Sequence, residues 1–166
     1  MQTAFGEKYN KQEAENIRQQ TLSGDFSWMP NVEVVKGSTL ADTSVTQGSG
    51  VGLGAYDSAS DTIYLSEELL AGDPQKAVNI LTEEVDHAID TRVNTSDSAG
   101  DEGELFASLV GGEKLSAAQI QAVRSENDHG TIEIDGKTVE VEYGFFPVLV
   151  MLSAVSVTRL SIPSQM

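Results

Sequence analysis

Cysteine is absent from the 166 residues, which removes disulfides, thiolate metal ligands and a thiol nucleophile together. Any metal must be held by histidine, aspartate or glutamate. Basic residues are scarce: 10 lysines and arginines stand against 26 aspartates and glutamates, a formal charge of −16. Such a surface repels phosphate backbones and anionic headgroups, so nucleic acid is not an expected partner and a membrane is disfavoured. Histidine is rarer still, with His87 and His129 alone. Long apolar runs are missing too. Residues 145–157 come closest, but Pro147, Ser153 and Ser156 interrupt them, and the run falls short of the ~20 residues that cross a bilayer. It reads as a buried segment or as the contact of a homo-oligomer. The opening residues, Met1 to Lys8, lack the basic-then-apolar pattern of a cleaved signal peptide.

With 39% apolar residues the chain can bury one core, and its length asks for no second. We expect a single domain made of an N-terminal helix (1–25), a core (26–142) and an apolar C-terminal segment (143–166). Residues 7–20 are helix formers with little apolar surface, ended by turn chemistry at Leu22-Ser23-Gly24-Asp25. Phe26, Trp28 and Met29 are expected in the core, and Val32 to Val35 as a strand. The glycines from Gly48 to Gly54 lack the Gly-Lys-Ser/Thr ending of a phosphate loop and read as a connector. Thr62 to Leu65 is β-branched and aromatic, a short strand. Asp73 offers an N-cap with Pro74 at the first helical position. From there Ala77, Val78, Leu81, Val85, Ala88 and Ile89 recur at helical spacing, with Glu83, Asp86, His87 and Asp90 opposite and Glu84 at the boundary. A second helix opens at Asp101 and closes at Gly111-Gly112. Ser116-Ala117-Ala118-Gln119 is a capping box for a third. Thr131 to Ile134 and Thr138 to Val141 alternate around Asp135-Gly136, a hairpin. Helices and strands come in blocks, so the fold class is α+β.

The segment Glu83-Glu84-Val85-Asp86-His87 is the zinc-protease pattern HExxH with glutamate in place of the first histidine. Residues i and i+4 of a helix face the same way, so Glu83 and His87 can share one ion, with Glu84 placed as general base. The bland alternative makes Glu83, Asp86, His87 and Asp90 the wet side of an amphipathic helix. The acids Asp97, Asp101, Glu102 and Glu104 offer a calcium cluster, though without the ligand spacing of an EF-hand. Glu84-x-x-His87 is also half of a di-iron motif, but no second Glu-x-x-His follows. His129 falls in what reads as a turn, away from a site.

The order strand, motif helix, loop, acid-bearing helix resembles the gluzincin plan. That resemblance implies a third ligand at Glu104, which alternatively completes a capping box with Asp101. It also implies an outer contact at Ser108, where gluzincins carry an aspartate; a hydroxyl can donate to the Glu83 carboxylate that replaces histidine. Asp90 is a further outer contact. The matching stretches are Gly24-Asp25-Phe26-Ser27-Trp28-Met29-Pro30, Gly54-Ala55-Tyr56, Thr62 to Ser66, Glu83 to Asp90 and Gly100 to Phe106. They resemble the zincin-like domain of large secreted, calcium-binding-repeat proteins of cyanobacteria and related bacteria, in which the Glu-Glu form is usual. The chain departs in having neither the repeats nor a counterpart for its tail from Phe145. The resemblance implies a small mixed sheet packed on an active-site helix, with further helices and a C-terminal hairpin. Type I export to the exterior stands beside a cytoplasmic setting.

Two functions follow. The first is a metal-dependent hydrolase acting on peptides or proteins, with zinc as the expected ion and calcium as the alternative. In it Glu83, His87 and Glu104 bind the metal, Glu84 is the base, and strand 62–65 with Tyr64 pairs with an extended substrate. The second is a catalytically inactive zincin-like module for adhesion or assembly.

Overall fold

The structure is a computed structural model that describes residues 2–6, 8–41, 52–95, 100–125 and 129–143. The expectations for the glycines at 48–51, for Asp97 and for the segment 145–157 lie outside the described residues.

A short helix, α1 (Gln2–Phe5), precedes α2 (Lys11–Ser23). The second helix starts later than composition predicts because Asn10 accepts hydrogen bonds from the N–H groups of Gln12 and Glu13. Gly24 ends it at φ 79°, a left-handed position natural to glycine. Strand β1 (Asn31–Val35) leads through a 3-10 turn (Gly37–Leu40) toward β2 (Gly54–Asp57) and β3 (Thr62–Ser66). Helix α3 (Glu67–Ala71) and the 20-residue α4 (Pro74–Val93) follow, then α5 (Glu102–Val110) and α6 (Ala117–Val123). The chain returns in β4 (His129–Ile134) and β5 (Lys137–Glu142). Their turn places Asp135 at φ 51° and Gly136 at φ 73°, the paired positive angles of a tight hairpin.

The five strands of the described residues form one mixed sheet in the order β1-β3-β2-β5-β4, with β1 parallel to β3 and the other pairs antiparallel. The class is therefore α+β. Strand β3 has neighbours on both sides, which corrects the expectation that it forms an open edge for a peptide. Tyr64 is correspondingly buried, packed with Leu40, Ala55, Ile132, Val141 and Tyr143 on one face of the sheet. His129 is the first residue of β4 and not part of a turn.

On the other face, Tyr56, Ile63 and Leu65 pack against Ile80 and Ala88 of α4. The far side of α4 offers Ile89 and Val93 to Ala4 and Phe5 of α1 and to Ala14 and Ile17 of α2. Helix α4 is thus enclosed, with the sheet on one side and α1 and α2 on another. Arg92 near its end donates to both carboxylate oxygens of Asp61 at 2.9 and 2.7 Å, and Tyr56 donates to the same carboxylate at 3.0 Å. That network ties α4 to the β2–β3 turn. Phe26 is 55% exposed, which corrects its place in the expected core; it lines an apolar groove with Trp28, Leu22 and Val110. Among the described residues no helix is long and apolar enough to cross a membrane.

Helix and sheet approach most closely at Gly54, where an added Cβ would collide with Glu84 Oε1 and lie 2.7 Å from Ile80 Cγ2. Gly54→Ala should therefore lower stability by about 1–3 kcal/mol, read as a lower urea midpoint. An unchanged midpoint would mean that α4 is not seated on β2 in this way.

Candidate metal centre

The side of α4 opposite its apolar stripe is not wet. Glu83, Glu84, Asp86, His87 and Asp90 are all buried, with at most 2% exposure, while Val78 of the expected apolar face is 56% exposed. The reading of these acids as a solvated face is thereby overturned. Periodicity finds the polar stripe but cannot tell what covers it. Here the cover is α5, whose first turn adds Asp101, Glu102 and Glu104, also buried. Among the described residues no lysine or arginine is buried. Several kcal/mol of desolvation attend each ionised carboxylate held away from water, so this assembly requires protons or a cation.

His87 is the focus. Its Nδ1 lies 3.0 Å from Glu102 Oε1 and 3.1 Å from Glu142 Oε2. Glu102 is fully buried and Glu142 is 14% exposed. Three elements meet here: the middle of α4, the start of α5 and the end of β5. One ring nitrogen carries at most one proton, whereas two carboxylates converge on it. A divalent cation satisfies all three groups together, and the three ligand atoms all lie within 4.8 Å of one another. Separations of 3.0 and 3.1 Å suit neighbouring ligands of one ion held at about 2.1 Å. Two carboxylates and a neutral imidazole also balance a double positive charge.

The set differs from the one expected. Glu102 and Glu142 join His87, while Glu83 and Glu104 lie outside this group. The reason is the ring's orientation. A Cβ on Gly103 would sit 2.8 Å from His87 Nε2 and 3.0 Å from the Glu83 carbonyl oxygen, so Nε2 faces the backbone of α5 and Nδ1 faces the carboxylates. Glu104 donates its backbone N–H to Asp101 Oδ1 at 2.7 Å, the N-cap of α5. Glu83 Oε1 and both oxygens of Asp86 are buried without a hydrogen-bond partner. Ser108, half-buried on α5, therefore gives no hydrogen bond to Glu83 Oε1. Asp90 accepts from the Asn94 amide at 2.7 Å and holds the end of α4. Glu84 is packed beneath Gly54.

Sequence reasoning named Glu102 only within a calcium-type cluster and did not consider Glu142. The alternation Thr138, Glu140, Glu142 places Glu142 on the polar side of its strand, but nothing in the sequence says that α4 lies against that side.

Electrostatics follow from this burial. Desolvation pulls the His87 imidazolium down, but the hydrogen bonds it donates to the carboxylates of Glu102 and Glu142, with the charges of Glu102 and Glu84, outweigh it, leaving it well above the ordinary value. Desolvation lifts Glu83 well above the carboxylate range, helped by Asp101 and Glu84. It lifts Asp86 likewise, with His87 opposing and Glu102 and Asp90 adding. All three shifts favour the protonated folded state. Their stabilisation is therefore present at low pH and is lost as pH rises through the folded values. Glu15, held at about 2 by its hydrogen bond to Arg18, is already ionised and adds no slope above pH 5. Chelator-treated protein should melt at progressively lower temperature as pH rises from about 5 to about 8. A melting temperature that climbs over this interval would contradict the buried acidic centre.

Set beside known proteins, the chain matches no protein-family model, no curated protein and no solved structure, so its function rests on this cluster.

Proposed function

We propose that the chain is a metal-dependent hydrolase, with one divalent ion held by His87, Glu102 and Glu142. The observation that carries this reading is the convergence of two carboxylates from separate elements on one buried imidazole nitrogen. The orphaned oxygens of Glu83 and Asp86 support it, since an unpaired buried carboxylate is tolerated where a cation or proton lies close. A site with three protein ligands and one accessible side is the form taken by catalytic centres, whereas structural sites are closed. Glu142 supplies that accessible side.

Zinc is the expected ion, with calcium as the alternative; the oxygen-rich set also suits Mn²⁺ or Fe²⁺. Bound there, such an ion supplies Lewis acidity to a carbonyl and to a water. The remaining work belongs to the chain. Glu102, fully buried, holds its carboxylate beside His87 Nδ1, where both would face the ion. Glu84, whose charge acts on His87, is assigned the role of proton acceptor. The expected substrate is a peptide or protein.

A zincin-like frame is part of the proposal. Its support is the enclosed motif helix under a mixed sheet and the acid-bearing helix that crosses it. The ligand set then differs from the gluzincin one by using Glu102 and Glu142. A second reading, an inactive zincin-like module for adhesion or assembly, is favoured by the open apolar groove between α2, α4 and α5, which is lined by Phe26, Trp28, Leu81 and Phe106.

Inductively coupled plasma analysis of protein purified without chelator should find close to one transition-metal ion per chain. His87→Ala and Glu142→Gln should lose it; wild-type protein free of metal would defeat the proposal. Glu84→Gln should keep the ion and lose turnover by about 10²-fold or more, and unchanged turnover would remove Glu84 from the mechanism.

A further inference from the structure

A cleft of about 440 Å³ opens on the same face of the sheet as α4, lined by Tyr56, Ser58, His129, Thr131, Glu140 and Glu142. Glu142 belongs to both the cleft and the centre, since its Oε2 lies 3.1 Å from His87 Nδ1. The strand register explains the lining. Tyr56 and His129 both stand opposite Glu142, and Thr131 stands opposite Glu140. Directly opposed residues point to one face of a sheet. The hairpin is therefore two-sided: Ile132, Val139 and Val141 pack on the apolar core, and the polar side forms the wall of the cleft. By the same alternation Glu133, Glu140 and Glu142 share the polar side, while Lys137 falls on the other. Two of these carboxylates, Glu140 and Glu142, line the cleft, with no lysine or arginine in the lining. Among the described residues strand β4 ends the sheet, so an extended chain laid beside it continues the sheet and turns alternate side chains toward the cleft.

Resting on the metal-centre reading above, we infer that this cleft is the substrate site and that it takes a peptide carrying a lysine or arginine side chain, whose cationic end is received by Glu140 beside the centre. Carboxylates on the wall attract the cation, and the overall charge of −16 steers it inward. Glu140 is exposed, so its contribution is modest.

The test is calorimetric titration of zinc-supplemented protein with acetyl-Ala-Lys-Ala-amide, with the norleucine analogue and with n-butylamine, zinc content being measured on the same samples. The lysine peptide should bind up to about fivefold more tightly than the norleucine peptide. In Glu140→Gln that ratio should fall to about one with zinc content unchanged. Equal binding of the two peptides, or a lysine preference that survives Glu140→Gln, overturns the inference. Butylamine binding as tightly as the lysine peptide overturns the peptide assignment. The two readings separate cleanly. A zinc-free protein that keeps a Glu140-dependent preference sinks the metal centre and supports the cleft, whereas a zinc-loaded protein with no preference sinks the cleft alone.

Discussion

Carboxylates enclosed by protein on every side but one impose the main constraint on this molecule. Helix α4 carries Glu83, Glu84, Asp86 and Asp90 into the interior, and the start of α5 adds Asp101, Glu102 and Glu104. Ionised carboxylates in such a place repel one another and lose their hydration, a penalty of several kcal/mol each. For a domain whose whole stability is of order 10 kcal/mol, that assembly cannot stand without counter-charge. His87 supplies part of it, in contact with Glu102 and Glu142. The rest must come from protons or a cation, and the cation is what we propose for the convergence on His87 Nδ1.

The surrounding scaffold reads as a device for bringing those groups together. Glycine recurs where a backbone packs closely on α4: Gly54 lets β2 settle on the side chains of Glu84 and Ile80, and Gly103 lets α5 settle on His87. The Arg92–Asp61–Tyr56 network anchors α4 to the β2–β3 turn, so the helix cannot rotate its acids toward water without breaking it. Apolar contacts on two other sides, with α1 and α2 and with the sheet, hold the same orientation. Local rules of burial are violated in one place and obeyed around it, the pattern expected where function takes precedence over stability.

Much of the architecture could be read in advance. Asp73-Pro74 opens α4, Ser116 with Gln119 forms the capping box of α6, and Asp135-Gly136 turns the hairpin. Each is a short-range device acting within a few residues of itself. The site was legible only in part. His87 was singled out by its motif, and Glu102 by its place in an acidic cluster. Glu142, 55 positions beyond His87 in the numbering, carries no local mark that distinguishes it from Glu140 or Glu133. The placement of β3 inside the sheet was equally hidden, because pairing order depends on contacts remote in sequence. Phe26 misled for a related reason: an aromatic side chain reads as core wherever nothing in its neighbourhood says that the nearby groove stays open.

What the amino-acid order determined alone was the chemistry available: no thiols, two histidines, an excess of acids, and a helix with one apolar and one acidic stripe. Those properties follow from composition and from the fixed periods of helix and strand. Tertiary structure decided which acids meet the imidazole, which ring nitrogen they meet, and that the acidic stripe faces inward. Those outcomes rest on how α5 and β5 pack over α4, and a repeat along one helix holds no information about the surface laid across it.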